Sequence, residues 1–164
     1  MNIRLFALGL ALAALVGCAT ANPRAKLVWA GIYCYDSAEP QADASTPSGF
    51  RLTNITQPRL LTRATTIKAE LGRSFGIAYR LKRPGANAIP YRVHWQFPAD
   101  GLTNPRTKVT HHTFERELGP SQAKTRGLGW SFTEPWELVP GIWQVQILCG
   151  DQVLLAQSFE VVLP

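Results

Sequence analysis

Alternating apolar runs, recurrent proline and glycine, and the absence of a sustained helical period predict an all-β chain, an immunoglobulin-like antiparallel β-sandwich of about seven strands. The 164 residues hold 13 glycines and 12 prolines, spread through the body of the chain. Arg59 to Gly72 comes nearest to a helix, but its Thr65-Thr66-Ile67 is β-branched and stiff at χ1.

The strands follow in order. Leu27 to Asp36 predicts the first, with Val28, Ala30, Ile32 and Cys34 on one face. The block from Ser37 to Gly49 is rich in Ala, Ser, Pro and acidic residues and reads as a mobile loop. Phe75 to Leu81 aligns Phe75, Ile77, Tyr79 and Leu81. After a turn at Pro84-Gly85, Tyr91 to Phe97 sets Tyr91, Val93, Trp95 and Phe97 against Arg92, His94 and Gln96. That is a strand with one dry and one wet face. Thr110 to Leu118 and Leu128 to Thr133 are fainter strand signals.

The C-terminal hairpin is the clearest pair. Ile142 to Cys149 rises, Gly150-Asp151 turns, and Val153 to Leu163 returns. A strict two-residue loop would put Val153, Leu155, Phe159 and Val161 on the face opposite Trp143, Val145, Ile147 and Cys149. Burial of both sets on one face requires a three-residue loop, Gly150 to Gln152, or an equivalent bulge.

The first residues predict export. Arg4 precedes Leu5 to Val16, an uncharged run of signal-peptide length and too short to span a bilayer. It ends in Leu15-Val16-Gly17-Cys18, which resembles a lipobox with Cys18 as the acylated residue. The alternative is ordinary cleavage after Ala19-Thr20-Ala21. The expected organisation is a signal peptide over 1–17, a lipidated tether over 18–26 and a sandwich over 27–164. Ala19 rather than an aspartate after Cys18 favours the periplasmic face of the outer membrane.

From residue 18 onward the charge is 16 Lys and Arg against 11 Asp and Glu, or +5. No run of five basic residues occurs, so no nucleic-acid partner is expected. With Cys18 lipidated, Cys34 and Cys149 remain. In an oxidising compartment they are expected to form a disulfide closing a loop of about 115 residues, worth roughly 3–5 kcal/mol.

The runs Gly101-Leu102-Thr103-Asn104-Pro105, Gly129-Trp130-Ser131-Phe132 and Trp136-Glu137-Leu138-Val139-Pro140-Gly141-Ile142-Trp143, with Gly150-Asp151 and Ser158-Phe159-Glu160-Val161, resemble the bacterial family catalogued as domain of unknown function 3859. The resemblance covers roughly Ala30 to Val162 and is most specific toward the C-terminus. It implies a β-sandwich and supplies no catalytic residues.

Candidate chemistry is sparse. His111 and His112 with Glu115 and His94 are weak metal candidates, because adjacent strand residues point to opposite faces; no metal or other cofactor is expected. Glu115 and Glu117 share a strand face, and Glu134 and Glu137 flank a turn; both pairs read as solvated acids. No nucleophile elbow or phosphate loop is present in the sequence. Arg80, Lys82 and Arg92, with His94, form a basic patch if their strands pair directly. Trp95 and Trp143 fall on apolar faces, whereas Trp29, Trp130 and Trp136 are less constrained. The first functional reading is a non-catalytic envelope module, tethered to the membrane by its lipid, that binds an envelope protein or anionic polymer. The alternative is a small-ligand or inhibitory domain with a cleft near Trp136, and the third is a hydrolase with an unrecognised site.

Overall fold

The structure is a computed structural model that describes residues 23–82, 90–119 and 124–164. The expected leader and Cys18 lie outside the described residues. Thirteen strands follow in chain order: β1 Arg24–Cys34, β2 Ser37–Ala42, β3 Phe50–Thr56, β4 Arg59–Arg63, β5 Thr66–Lys68, β6 Ser74–Lys82, β7 Tyr91–Gln96, β8 Leu102–Thr103, β9 Thr110–His111, β10 Thr113–Glu117, β11 Arg126–Ser131, β12 Gly141–Cys149 and β13 Gln152–Val162. A 3-10 turn, Pro135–Glu137, precedes β12.

Two sheets form the sandwich, one ordered β11-β6-β1-β4 and the other β10-β7-β12-β13-β5. That is nine strands where about seven were expected. The extra ones come from Arg59 to Lys68, the stretch nearest to a helix in sequence, where β4 ends in one sheet and β5 joins the other. β5 pairs in parallel with β13, the one departure from antiparallel pairing in the main sheets. β2 and β3 make a separate hairpin, as do β8 and β9.

Alternation builds the core. Phe75, Ile77 and Tyr79 of β6 are fully buried, opposite Val93 and Trp95 of β7 and Trp143, Val145 and Ile147 of β12. Phe75 meets Trp95, Trp143 and Phe159 edge-on across the sheets, with centroids 6.0, 5.8 and 5.1 Å apart. Such contacts add about 0.5–1.5 kcal/mol each beyond area burial. Trp143 Nε1 donates to Val139 O at 3.0 Å, which ties the start of β12 back to the segment before it.

Bulges adjust what simple alternation predicts. In β1 the register with β6 slips between Leu27 and Trp29, leaving Val28 as the extra residue. Ala25 and Leu27 before it, and Ala30 and Ile32 after it, therefore pack on the core, and Val28 does not join them. Residues 24–26, the last three of the expected tether, are strand, with Arg24 opposite Lys82. In the C-terminal hairpin Cys149 pairs with Gln152 across a two-residue turn, and Leu154 is bulged between Val153 and Leu155. This equivalent bulge returns Phe159 to face Trp143. Val153 lies before the bulge and stays exposed rather than facing the core.

No bridge joins Cys34 and Cys149 in the structure. Tyr33, beside Cys34, pairs with Ser74, next to the Phe75 that touches Trp143. Cys149 lies six residues farther along β12, about 20 Å at strand rise. A disulfide needs Cα atoms within about 7 Å. Cys149 does face the core, but at the opposite end of the sandwich from Cys34.

Candidate functional site: a cleft beneath the first hairpin

The block expected to be a mobile loop holds the β2–β3 hairpin, with Ser37–Ala42 as its first arm. Its tip, Thr46 to Ser48, is buried. Thr46 Oγ1 donates to Asp43 O and Phe50 O at 2.9 and 2.8 Å, closing the loop on itself. Asn104, itself buried, donates from Nδ2 to Pro47 O at 2.9 Å and so latches the tip to the sandwich.

Beneath this hairpin lies a cleft with a volume of about 470 Å³, within the range of small-molecule sites. It runs from the outer face of the four-stranded sheet, past β11, to the flank where β11 and β10 are the two sheet edges. Its apolar wall includes Trp29, Phe50, Phe114, Leu128 and Trp130.

Three arginines line the same space, one from each surrounding element. On β10, Phe114 and Leu118 are buried, and Arg116 shares their face, paired with inward-facing Val93. On β11, Leu128 and Trp130 are buried, and Arg126 shares theirs, paired with Tyr79. Each guanidinium therefore projects from the core face of an edge strand. Arg51 reaches in from β3, with Nε 3.6 Å from Asp43 Oδ2 and Nη2 donating to Gln41 Oε1 at 3.0 Å.

The electrostatics follow from this placement. Burial, then the neighbouring charge of Arg51, pushes the Arg116 guanidinium below its ordinary pKa, with Arg126 adding to the effect. The Ser45 hydroxyl holds the Asp43 carboxyl below the usual range, with Arg51 and Arg116 contributing less. Arg126 Nη2 donates to Gly119 O at 3.0 Å, whereas its buried Nη1 has no acceptor among the described residues.

Tyr33 and Glu137 form the polar floor. The Tyr33 ring lies over Gly129, where a Cβ would stand 2.3 Å from the phenolic oxygen. Glycine is therefore required beneath it. Burial pushes the phenol up to about 12 despite hydrogen bonds from Ser131 and Ser74. Glu137 is buried rather than solvated, and its Oε2 accepts from Thr133 N, Thr133 Oγ1 and Glu134 N at 2.7, 3.0 and 3.0 Å. Burial raises its pKa, which those donors only partly offset. It is the one carboxylate among the described residues lining the cleft.

The residues singled out from sequence fall elsewhere. β6 and β7 belong to opposite sheets, which scatters the basic patch. Arg80 Nε lies 3.4 Å from Thr125 Oγ1, and Lys82 ends β6. Arg92, on the other sheet, pairs with Glu115 and donates to Gly150 O at 2.7 Å. His94 Nδ1 is 3.3 Å from Glu115 Oε2. His111 sits on β9, opposite Leu102. Among the described residues no three His, Cys, Asp or Glu side chains come together as a metal group. Trp136 packs against the core, so the cleft meets its turn only through Thr133 and Glu137. Trp29 and Trp130 do reach the cleft.

The cleft arginines escaped sequence reasoning because three distant segments supply them. One signal was available: Phe114-Glu115-Arg116-Glu117-Leu118 places an arginine on the apolar side of an alternating strand, where charge is unusual.

The model of the family described as "Domain of unknown function (DUF3859)" matches residues 21–161. The crystal structure at 1.50 Å of an immunoglobulin-like protein from Pseudomonas aeruginosa is similar at a TM-score of 0.64 and 25% identity, covering 88% of this chain and 99% of that one. A Pseudomonas fluorescens alkylpurine DNA glycosylase, AlkC, bound to DNA containing an abasic site analog, reaches a TM-score of 0.34 at 16% identity, over 59% of this chain and 27% of that one, too low to support any argument. No curated protein matches.

Proposed function

The chain belongs to the family of domain of unknown function 3859, and from that premise we propose that it is a non-catalytic binding module of the cell envelope, holding a small amphipathic ligand beneath its β2–β3 hairpin. The observation that carries this reading is the cleft itself, which joins aromatic walls to three convergent arginines in a volume suited to a small molecule. The one lining carboxylate among the described residues, Glu137, has its Oε2 held by three donors from Thr133 and Glu134, which supports binding over acid–base chemistry. The small-ligand reading thereby takes precedence over docking of a protein or polymer on an outer face.

Export and acylation at Cys18 belong to the same proposal, and the uncharged run ending in Leu15-Val16-Gly17-Cys18 supports them. The mass of the mature N-terminus checks this part. A lipidated N-terminal Cys18 is the expected result, and an unmodified N-terminus at Asn22 contradicts it.

The binding reading is tested with 1-anilinonaphthalene-8-sulfonate and the folded protein. One saturable site per chain is expected, abolished by Gly127→Trp. Gly127 borders the cleft and a Cβ there meets nothing within 4 Å, so the indole enters the open space. Absence of a saturable site, or a site indifferent to Gly127→Trp, contradicts the proposal.

A further inference from the structure

The cleft places two guanidiniums on the core faces of two edge strands, one from each sheet, at the same open flank. Arg116 follows Phe114 in the inward alternation of β10, and Arg126 precedes Leu128 and Trp130 in that of β11. Arg116 stays exposed and Arg126 half-buried, yet both stand in the inward alternation of their strands, where charge is unusual. Here the partners are few: Asp43 is drawn to Arg51, at 3.6 Å, and Glu137 Oε2 already accepts from three donors. Arg126 Nη1 is buried with no acceptor among the described residues. Arg51 adds a third positive charge from the hairpin above. Asp43 balances at most one of these three positive charges, while Trp29 offers an apolar surface beside them.

We propose that the cleft selects an anionic amphipath, a small molecule with a ring-sized apolar body and one oxyanion group, carboxylate, sulfonate or phosphate, held between Arg116 and Arg126 with Arg51 closing above. This rests on the binding reading given above and adds the charge and shape of the ligand. An oxyanion suits the site because a guanidinium fork matches its geometry and makes charge-assisted hydrogen bonds to it. The aromatic body replaces water against the Trp29 indole.

The test compares two fluorescent probes of similar apolar body: 1-anilinonaphthalene-8-sulfonate, which carries a sulfonate, and neutral N-phenyl-1-naphthylamine. The sulfonate is expected to bind about tenfold or more tightly than the neutral probe. Arg116→Gln and Arg126→Gln, singly, each weaken the sulfonate by a similar factor and leave the neutral probe unchanged. Circular dichroism and a urea midpoint confirm that each variant is folded. Because each substitution also relieves repulsion between like charges, neither is expected to lower that midpoint by the route of lost ion pairing. If both probes bind equally, ignore the arginine substitutions and are both lost in Gly127→Trp, the cleft binds ligands but the anion assignment is overturned. If neither probe binds saturably, the assignment and the binding reading fall together.

Discussion

Glu137 reads in the sequence as an acid left in water, yet the fold buries it. In the sequence it flanks a Pro-Trp turn with Glu134, and two acids beside a turn ordinarily stay in water. In the fold the 3-10 turn folds it inward, where Thr133 and Glu134 present three donors to one oxygen. Glu137→Ala leaves those donors without an acceptor, and urea unfolding is expected to show a loss on the order of 2–3 kcal/mol. Glu137→Gln keeps an acceptor and isolates the charge. Burial favours the protonated acid, so the native state keeps a proton that the unfolded chain gives up near 4.5. The stabilisation from Glu137 is thus present below that pH and lost as pH rises through the raised native value. Wild type measured against Glu137→Gln should lose relative stability over that window, and a relative gain with rising pH would contradict the assignment.

At the scale of the element, legibility tracks how completely a strand is buried on one face. Tyr91 to Phe97 and Phe75 to Leu81 alternate cleanly because each packs one side on the core, and the structure places both as read. The C-terminal hairpin is legible for the same reason, down to the need for a bulge, though not its position at Leu154. Ser37 to Ala42 carries no such pattern, because β2 is almost wholly exposed and gains order from pairing with β3. That hairpin depends on a few side-chain contacts, chiefly Asn104 to Pro47 and the ion pair of Arg59 with Asp36 at 2.9 Å. Asn104→Ala removes the buried latch. In hydrogen exchange the amides of Thr46 and Gly49 are then expected to exchange faster, while those of β6 and β12 keep their protection. Equal loss of protection in all of them would mean that Asn104 supports the whole fold rather than the hairpin.

For the whole molecule, the all-β class follows from periodicity and turn residues, but the assignment of consecutive strands to sheets does not. That assignment decides two of the sequence expectations. It sends β6 and β7 to opposite sheets, dispersing Arg80 and Arg92, and it sets Cys34 and Cys149 at opposite ends. A reducing agent is therefore expected to leave the melting temperature unchanged. With Cys18 lipidated or replaced by serine, a thiol reagent should titrate half-exposed Cys34 in the native state and reach buried Cys149 only on unfolding. A fall in melting temperature on reduction, about 10 °C or more for a bond of this loop length, would restore the bridge. The same long-range arrangement makes the cleft. Arg51, Arg116 and Arg126 meet only because the first hairpin folds over the flank formed by β10 and β11.

The most direct measurement of the central claim is a crystal structure of the protein with 1-anilinonaphthalene-8-sulfonate bound. The account predicts the naphthalene against Trp29, the sulfonate between Arg116 and Arg126, and the β2–β3 hairpin closed above them. A probe bound elsewhere, with the cleft filled by the protein's own side chains, would contradict it.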